Sequence, residues 1–276
     1  MKVRCFALLA LCVSLATAPL SQAATIVLGA SKDASIFQNN VGNSSGAGNG
    51  LIAGTNAQSS PRRGAIAFDI AGALPAGAII QDVKLHLTLA SVAGSGGGDG
   101  GNSPTNVTID LRRLTKNWGE GTTLQQSPPT DNVGGQGQGA VAGNGDATWN
   151  SNFHGTSLWT TPGGDFAAPS ASLLVDALTN VAKTWTSAAM ITDVQSWLTN
   201  PSGNFGWMLV NQSEAASSTA RTFYSSEVAT AAFHPQLEIT YATATVPEPG
   251  TIVLGLAASG CCLVVARRNR TVDLNA

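Results

Sequence analysis

Three stretches of this chain alternate apolar and polar residues with a period of two, and that pattern fixes the kind of fold open to it. Val83, Leu85, Leu87 and Leu89 are separated by Lys84, His86 and Thr88. Val107, Ile109 and Leu111 are separated by Thr108 and Asp110, and Leu237, Ile239 and Tyr241 by Glu238 and Thr240. In an extended strand this period puts one set on a buried face and the other toward solvent. Residues 65–70 and 205–210 are more evenly apolar, which suits central strands covered on both faces. Turn signals separate the strands at Leu74-Pro75-Ala76-Gly77, Asn200-Pro201-Ser202-Gly203 and His234-Pro235. Many short strands with this punctuation predict an all-β fold, a single β-sandwich or jelly-roll domain. One short helix is expected. Thr192 is placed to cap it, with Gln195 at the capping-box spacing; Val194, Trp197 and Leu198 share one face, and Asn200-Pro201 ends it. Such a helix would act as a lid over one open end.

Two stretches are too glycine-rich to offset their ordering entropy. Residues 94–101 hold six glycines, and residues 131–145 hold six more among Gln and Asn. Both are expected as mobile surface loops inserted in the one domain.

Both ends of the chain read as targeting segments. Lys2 and Arg4 precede an apolar run from Phe6 to Ala18, and small residues follow at Ser21 and Ala23. This predicts a signal peptide over 1–23, cut between Ala23 and Ala24. At the other end, Val246-Pro247-Glu248-Pro249 precedes an uncharged run over 251–266 and then Arg267, Arg268 and Arg270. Sixteen such residues rise about 24 Å as a helix, a thin match to a hydrocarbon core of roughly 30 Å. The basic residues after it predict a cytoplasmic tail over 267–276. This order of motif, span and basic cluster resembles the PEP-CTERM sorting signal of Gram-negative bacteria. The resemblance implies an inner-membrane-tethered precursor and an exosortase partner that cuts near the Pro-Glu-Pro motif. The body would then pass to the cell surface or extracellular matrix.

The resulting map is signal peptide 1–23, domain 24–242, linker 243–250, membrane helix 251–266 and tail 267–276. The four cysteines are Cys5, Cys12, Cys261 and Cys262, all in the end segments. The body therefore has no disulfide, thiol nucleophile or cysteine metal site and must be held by its core. It carries nine Lys or Arg against fourteen Asp or Glu, a net charge near −5, with no basic stripe. Nucleic acid is not an expected partner.

Short motifs along the body run in the order of a known family. They are Asp33-Ala34-Ser35-Ile36, Gly50-Leu51-Ile52-Ala53-Gly54, and Arg63-Gly64-Ala65-Ile66-Ala67-Phe68-Asp69-Ile70 leading to Leu74-Pro75-Ala76-Gly77. Trp118-Gly119-Glu120, Thr148-Trp149-Asn150 and Asp193-Val194-Gln195-Ser196-Trp197 follow. Asn204-Phe205-Gly206-Trp207, Phe223-Tyr224-Ser225-Ser226-Glu227 and Pro235-Gln236-Leu237-Glu238-Ile239-Thr240-Tyr241 close the series. Together they resemble the DNRLRE domain, a β-sandwich of secreted bacterial proteins, some of whose relatives resemble modules that bind acidic polysaccharide. The chain departs from that pattern in its long insertion at 131–145. It departs again at Ser226, where a basic residue is expected before the Glu.

No motif marks a catalytic centre. There is no nucleophile elbow around a serine, and His86, His154 and His234 lack metal-site spacing. Glu120, Asp146, Asp165 and Asp176 are the carboxylates from which a glycosidase pair would have to come, but no motif singles them out. The expectation is a non-enzyme. Trp185, Trp197 and Trp207 read as core. Trp118 and Trp159, in loops, are candidate platforms for sugar rings. Arg62, Arg112 and Arg113 are candidate contacts to uronic carboxylates, which makes extracellular polysaccharide a candidate partner. No cofactor is expected; Asp33, Asn39 and Asn49 are the oxygen ligands nearest to a Ca²⁺ pattern.

Overall fold

In the computed structural model the described residues are 23–93, 106–125, 131–133 and 137–243. The strands are β1 (Ala23–Gly29), β2 (Lys32–Phe37), β3 (Asn43–Ser45), β4 (Gly50–Thr55) and β5 (Pro61–Ala67). Then come β6 (Ile79–Val92), β7 (Val107–Leu114), β8 (Ala140–Val141), β9 (Ser151–Phe153) and β10 (Ser157–Leu158). The last five are β11 (Phe166–Val175), β12 (Ala182–Thr186), β13 (Trp207–Asn211), β14 (Arg221–Tyr224) and β15 (Gln236–Ala242). All pairings among them are antiparallel. The main path runs β1-β15-β6-β14-β4-β5-β13-β7-β11; β12 flanks β6, and β2, β3 and β8 extend from β5.

The alternating stretches take the expected register. On β6, Val83, Leu85, Leu87 and Leu89 are fully buried; each such side chain contributes roughly 1.5–3 kcal/mol on leaving water. They meet Leu237 and Ile239 of β15, Trp185 of β12 and Phe223 of β14 in one cluster. Ile109 and Leu111 of β7 and Trp207 and Leu209 of β13 join the same cluster. The sheet thus doubles back through β4, which pairs with β14 on one side and with the start of β5 on the other. A register shift between Thr240 and Tyr241 of β15 turns Tyr241 half outward, as a bulge does.

The helix is longer than the cap at Thr192 predicts. α2 spans Ala188–Thr199, and its cap is Ser187, whose hydroxyl accepts from Met190 N. Thr192 instead donates to Ala188 O within the helix. Gln195 is no capping partner; it accepts from Ile80 N and donates to Ala78 O, tying α2 to the start of β6. Met190, Val194 and Trp197 enter the main core, with Leu198 only partly buried at its edge. A second, one-turn helix, α1 (Ile70–Ala73), is capped by Asp69 through Gly72 N.

The glycine-rich stretch after Asp131 is not a free loop. β8 pairs with β3, Gln138 O accepts from Asn43 Nδ2 at 2.9 Å, and Asp131 accepts from Thr230 N and its hydroxyl. Short-range sequence cannot show that β3 offers this stretch a partner. The other stretch, 94–101, lies outside the described residues, as do the sorting motif Val246, Pro247, Glu248, Pro249 and the expected membrane helix. Among the described residues no helix is long and apolar enough to cross a membrane.

Candidate functional site

The central strands carry a second apolar face. Ala34 and Ile36 of β2, Ala65 and Ala67 of β5, and Met208 and Val210 of β13 point away from the main core. The long crossover between β7 and β11 lies over them and adds Trp118, Ala147, Trp149 and Trp159. Both faces of these strands are therefore covered.

That cover corrects the expectation for the loop tryptophans. Trp118 is 1% exposed and donates from Nε1 to Phe205 O at 2.9 Å; Trp159 is 5% exposed and donates to Thr148 O at 2.9 Å. Their faces are spent on the second core, and neither offers a ring to a sugar. Bonds within the crossover hold its segments to one another. Asn152 Nδ2 donates to Asn117 O at 2.8 Å. The buried Asp146 carboxylate accepts from the Thr123 hydroxyl and from Gly143 N.

The arginines are also committed. Arg62, a candidate contact to uronic carboxylates, is instead 2% exposed and donates to Gly137 O and Ser60 O, both at 2.5 Å. Arg112 and Arg113, as neighbours on a strand, point to opposite faces. Arg112 pairs with Asp110 at 2.8 Å and Arg113 with Asp193 of α2 at 3.1 Å, so they cannot grip one ligand together. Asp110 is held below the usual carboxylate range: burial opposes ionisation, but bonds from Ser172, Gln212 and Arg112 outweigh it. Arg63, the family-motif arginine, makes a two-point bond to Glu214 (2.8 and 2.7 Å), donates to Gly163 O, and lies over Trp149.

One open groove of about 590 Å³ remains on this covered side. Arg63, Lys116, Thr160, Thr161, Asp165 and Phe166 line it. Phe166 is half-buried beneath the guanidinium groups of Arg63 (5.3 Å) and Arg112 (5.5 Å). Asp165 accepts from Thr160 N and Thr161 N, both at 2.8 Å, with Lys116 at 4.0 Å. Burial works against its charge, but these donors hold its pKa low. The groove thus offers fixed cations, one fixed anion, threonine hydroxyls and an aromatic edge. Sequence reasoning missed Lys116 and Phe166, which carry no motif of their own.

A second polar cluster gathers Asp33 of β2, Glu120 of the crossover and Glu227 beyond β14. Asp33 N donates to Glu120 Oε1 at 2.7 Å, and Asp33 Oδ2 accepts from Ser226 N at 3.0 Å. Burial, then the Glu227 charge, pushes Asp33 well above the usual carboxylate range. Burial likewise raises Glu120 and Glu227. Ser226, in place of a base, bonds Glu227 Oε1 through its hydroxyl at 2.9 Å. Only one of the candidate calcium ligands belongs here. Asn39 lies beyond the far end of β2, its N–H on Ser60 Oγ, and Asn49 Nδ2 is turned to Asn132 O. Asp33, Asn39 and Asn49 therefore form no shared site. Among the described residues no group of three or more His, Cys, Asp or Glu is arranged to hold a metal ion.

The four carboxylates weighed for catalysis sit in separate networks. Asp146 is inside the crossover, Asp165 in the groove and Glu120 in the acidic cluster, while Asp176 is paired with Lys183. His86 bonds the Thr184 hydroxyl, and His234 the Val228 carbonyl. The chain matches no known family model and no curated protein.

Proposed function

We propose that this chain is an exported, non-enzymatic β-sandwich of the DNRLRE type, delivered to the cell surface by a C-terminal sorting segment and serving a structural or adhesive role in an exopolysaccharide matrix. The observation that carries the reading is the pairing of its end strands. Ala23 is the register partner of Ala242, and Ala24 of Tyr241. Cleavage between Ala23 and Ala24 leaves six residues of β1 on the ladder. The domain's entry and exit then lie side by side at one end, which suits a body tethered at one pole with the opposite loops free to engage its surroundings. A fractionation experiment tests this. Replacing Pro247, Glu248 and Pro249 by Ala should hold the precursor in the membrane fraction, whereas the parent reaches the surface. Equal surface delivery of both would refute sorting through this motif.

The groove favours a second reading, a carbohydrate-binding module for acidic sugars. Its volume falls in the range of roughly 300–1,000 Å³ usual for ligand pockets, and Lys116 at its rim is a charge a uronic carboxylate can meet. With a body charge near −5, long-range attraction to a polyanion is absent, so binding would rest on local, salt-sensitive contacts. Calorimetry with uronic oligomers tests it: Lys116→Ala should weaken binding several-fold. Equal affinity of variant and parent, or no binding by the parent, would remove the groove from consideration.

A further inference from the structure

Lys32 opens β2, and Asn117 lies just past the end of β7, at the root of the crossover. The Lys32 Nζ is 3.2 Å from Asn117 Oδ1. It is held there by a 2.7 Å bond to Trp118 O and by the Trp118 ring, whose centroid is 4.2 Å away. The Trp118 N–H donates to the same Oδ1 at 2.9 Å and so draws electron density from the carboxamide carbon. The Asn117 main chain is fixed through its bond from Asn152.

Two electrostatic facts bear on this meeting of amine and amide. Burial lowers the Lys32 pKa to about 8, against the opposing pull of Glu120. A share of the amine is then neutral in mildly alkaline solution, the form that acts as a nucleophile. Burial also raises the Glu120 carboxyl, whose charge pulls the Lys32 amine the other way.

We propose that Lys32 and Asn117 join in an intramolecular amide bond that ties β2 to the root of the crossover. Nζ of the neutral lysine attacks Cγ of Asn117, brought round by a turn of the exposed Asn117 side chain. The Nζ–Cγ bond forms, and the charge growing on Oδ1 is met by the Trp118 N–H. The intermediate then collapses with cleavage of Cγ–Nδ2. The proton lost from Nζ passes through solvent at the exposed Asn117 to Nδ2, which leaves as ammonia. One amine and one primary amide become one secondary amide and one ammonia, with no oxidant and no external reactant. Asn117 faces solvent, so the ammonia has a direct exit.

The bond has a physical role in this body. Its strands cannot be stapled by disulfides, because no cysteine lies between Cys12 and Cys261. An amide between residues 85 positions apart closes a long loop and constrains the unfolded chain as a disulfide would. It would also secure the crossover over the second core, where the Trp118 and Trp159 indoles are otherwise held by packing and one hydrogen bond each. The inference stands whether or not the sorting reading is correct.

Mass spectrometry of the freshly purified full-length protein, denatured after folding, tests it. The expected intact mass is lower by one ammonia than the sequence of the purified chain requires. Trypsin should fail to cut after Lys32 and should release one branched peptide joining the segment that ends at Arg62 to the segment that begins at Asn117. Lys32→Arg and Asn117→Ala should each restore the full mass and remove the branch. A full mass for the parent, with clean cleavage after Lys32, would overturn the proposal. So would an ammonia loss found only within a linear peptide. Both readouts come from the parent protein, so the decision does not depend on either variant folding.

Discussion

Trp197 and Trp207 offer a matched experiment inside the main core. Their rings meet edge to face, centroids 4.5 Å apart at 63°, and both are at most 1% exposed. They differ in one respect. Trp207 Nε1 donates to Asp193 Oδ2 at 2.9 Å, an oxygen that also accepts from the Ser170 hydroxyl at 2.5 Å, while Arg113 holds Oδ1. Trp197 Nε1 is buried with no hydrogen-bond partner among the described residues. Changing either to Phe removes the same volume and leaves a similar gap, a shared loss on the order of 1–2 kcal/mol. Trp207→Phe also forfeits a bond to a charged group, worth about 1.5–3 kcal/mol. Trp197→Phe instead removes a buried, unpaired donor that costs about 1–3 kcal/mol. The two variants should therefore differ by about 3 kcal/mol or more, with Trp197→Phe close to the parent. In a domain of this size that corresponds to a gap in Tm of roughly 6–12 °C. Trp197→Ala, by contrast, should cost roughly 3–5 kcal/mol. Urea unfolding with matched m-values measures all three. Equal losses for the two Phe variants, or a larger loss for Trp197→Phe, would refute the hydrogen-bond argument.

A Cβ on Gly46 would stand 1.9 Å from Glu120 O, whereas one on Gly29 meets nothing within 4 Å. Gly46→Ala should therefore cost about 1–3 kcal/mol by displacing main chain and Gly29→Ala almost nothing; equal melting temperatures would contradict the packing of the crossover. Asp33, Glu120 and Glu227 all have raised pKa values in the fold, burial being the largest cause. The folded state holds their protons more tightly than the unfolded chain. Their contribution is fully present below the ordinary carboxylate pKa and is lost as pH rises through the raised, folded values. Asp33→Asn keeps an acceptor for Ser226 N and should stabilise the protein increasingly as pH rises above about 4; a difference in Tm that does not change with pH would show that Asp33 is not held protonated. Dithiothreitol should leave the Tm of the mature body unchanged, and a clear drop would place a cysteine-bearing segment within it.

The strands were legible because burial on one face imposes a period that any reader of β6 can count. Evenly apolar β5 and β13 also announced cover on both faces. What covers the second face was not legible, because Trp118, Trp149 and Trp159 come from a crossover whose local composition is that of a loop. The signal was indirect. Strands with two apolar faces need a second layer, and the nearest unassigned aromatic residues are these. Arg62 was misread for a related reason: its partners, Gly137 O and Ser60 O, are main-chain atoms that no motif records. The α2 cap shows the limit of spacing rules. Thr192 and Gln195 fit the capping box, yet Ser187 alone has its hydroxyl placed at the first turn, because Ser170 O fixes it there. The acidic cluster draws on three segments far apart in sequence, so only folding brings its members together.

Export of the chain and processing at its C-terminus are tested most directly by terminal mass spectrometry of protein recovered from the cell surface. The expected termini are Ala24 at the N-terminal end and a residue close to Pro247-Glu248-Pro249 at the C-terminal end. Recovery of surface protein that still carries Arg267 to Ala276 would contradict that processing.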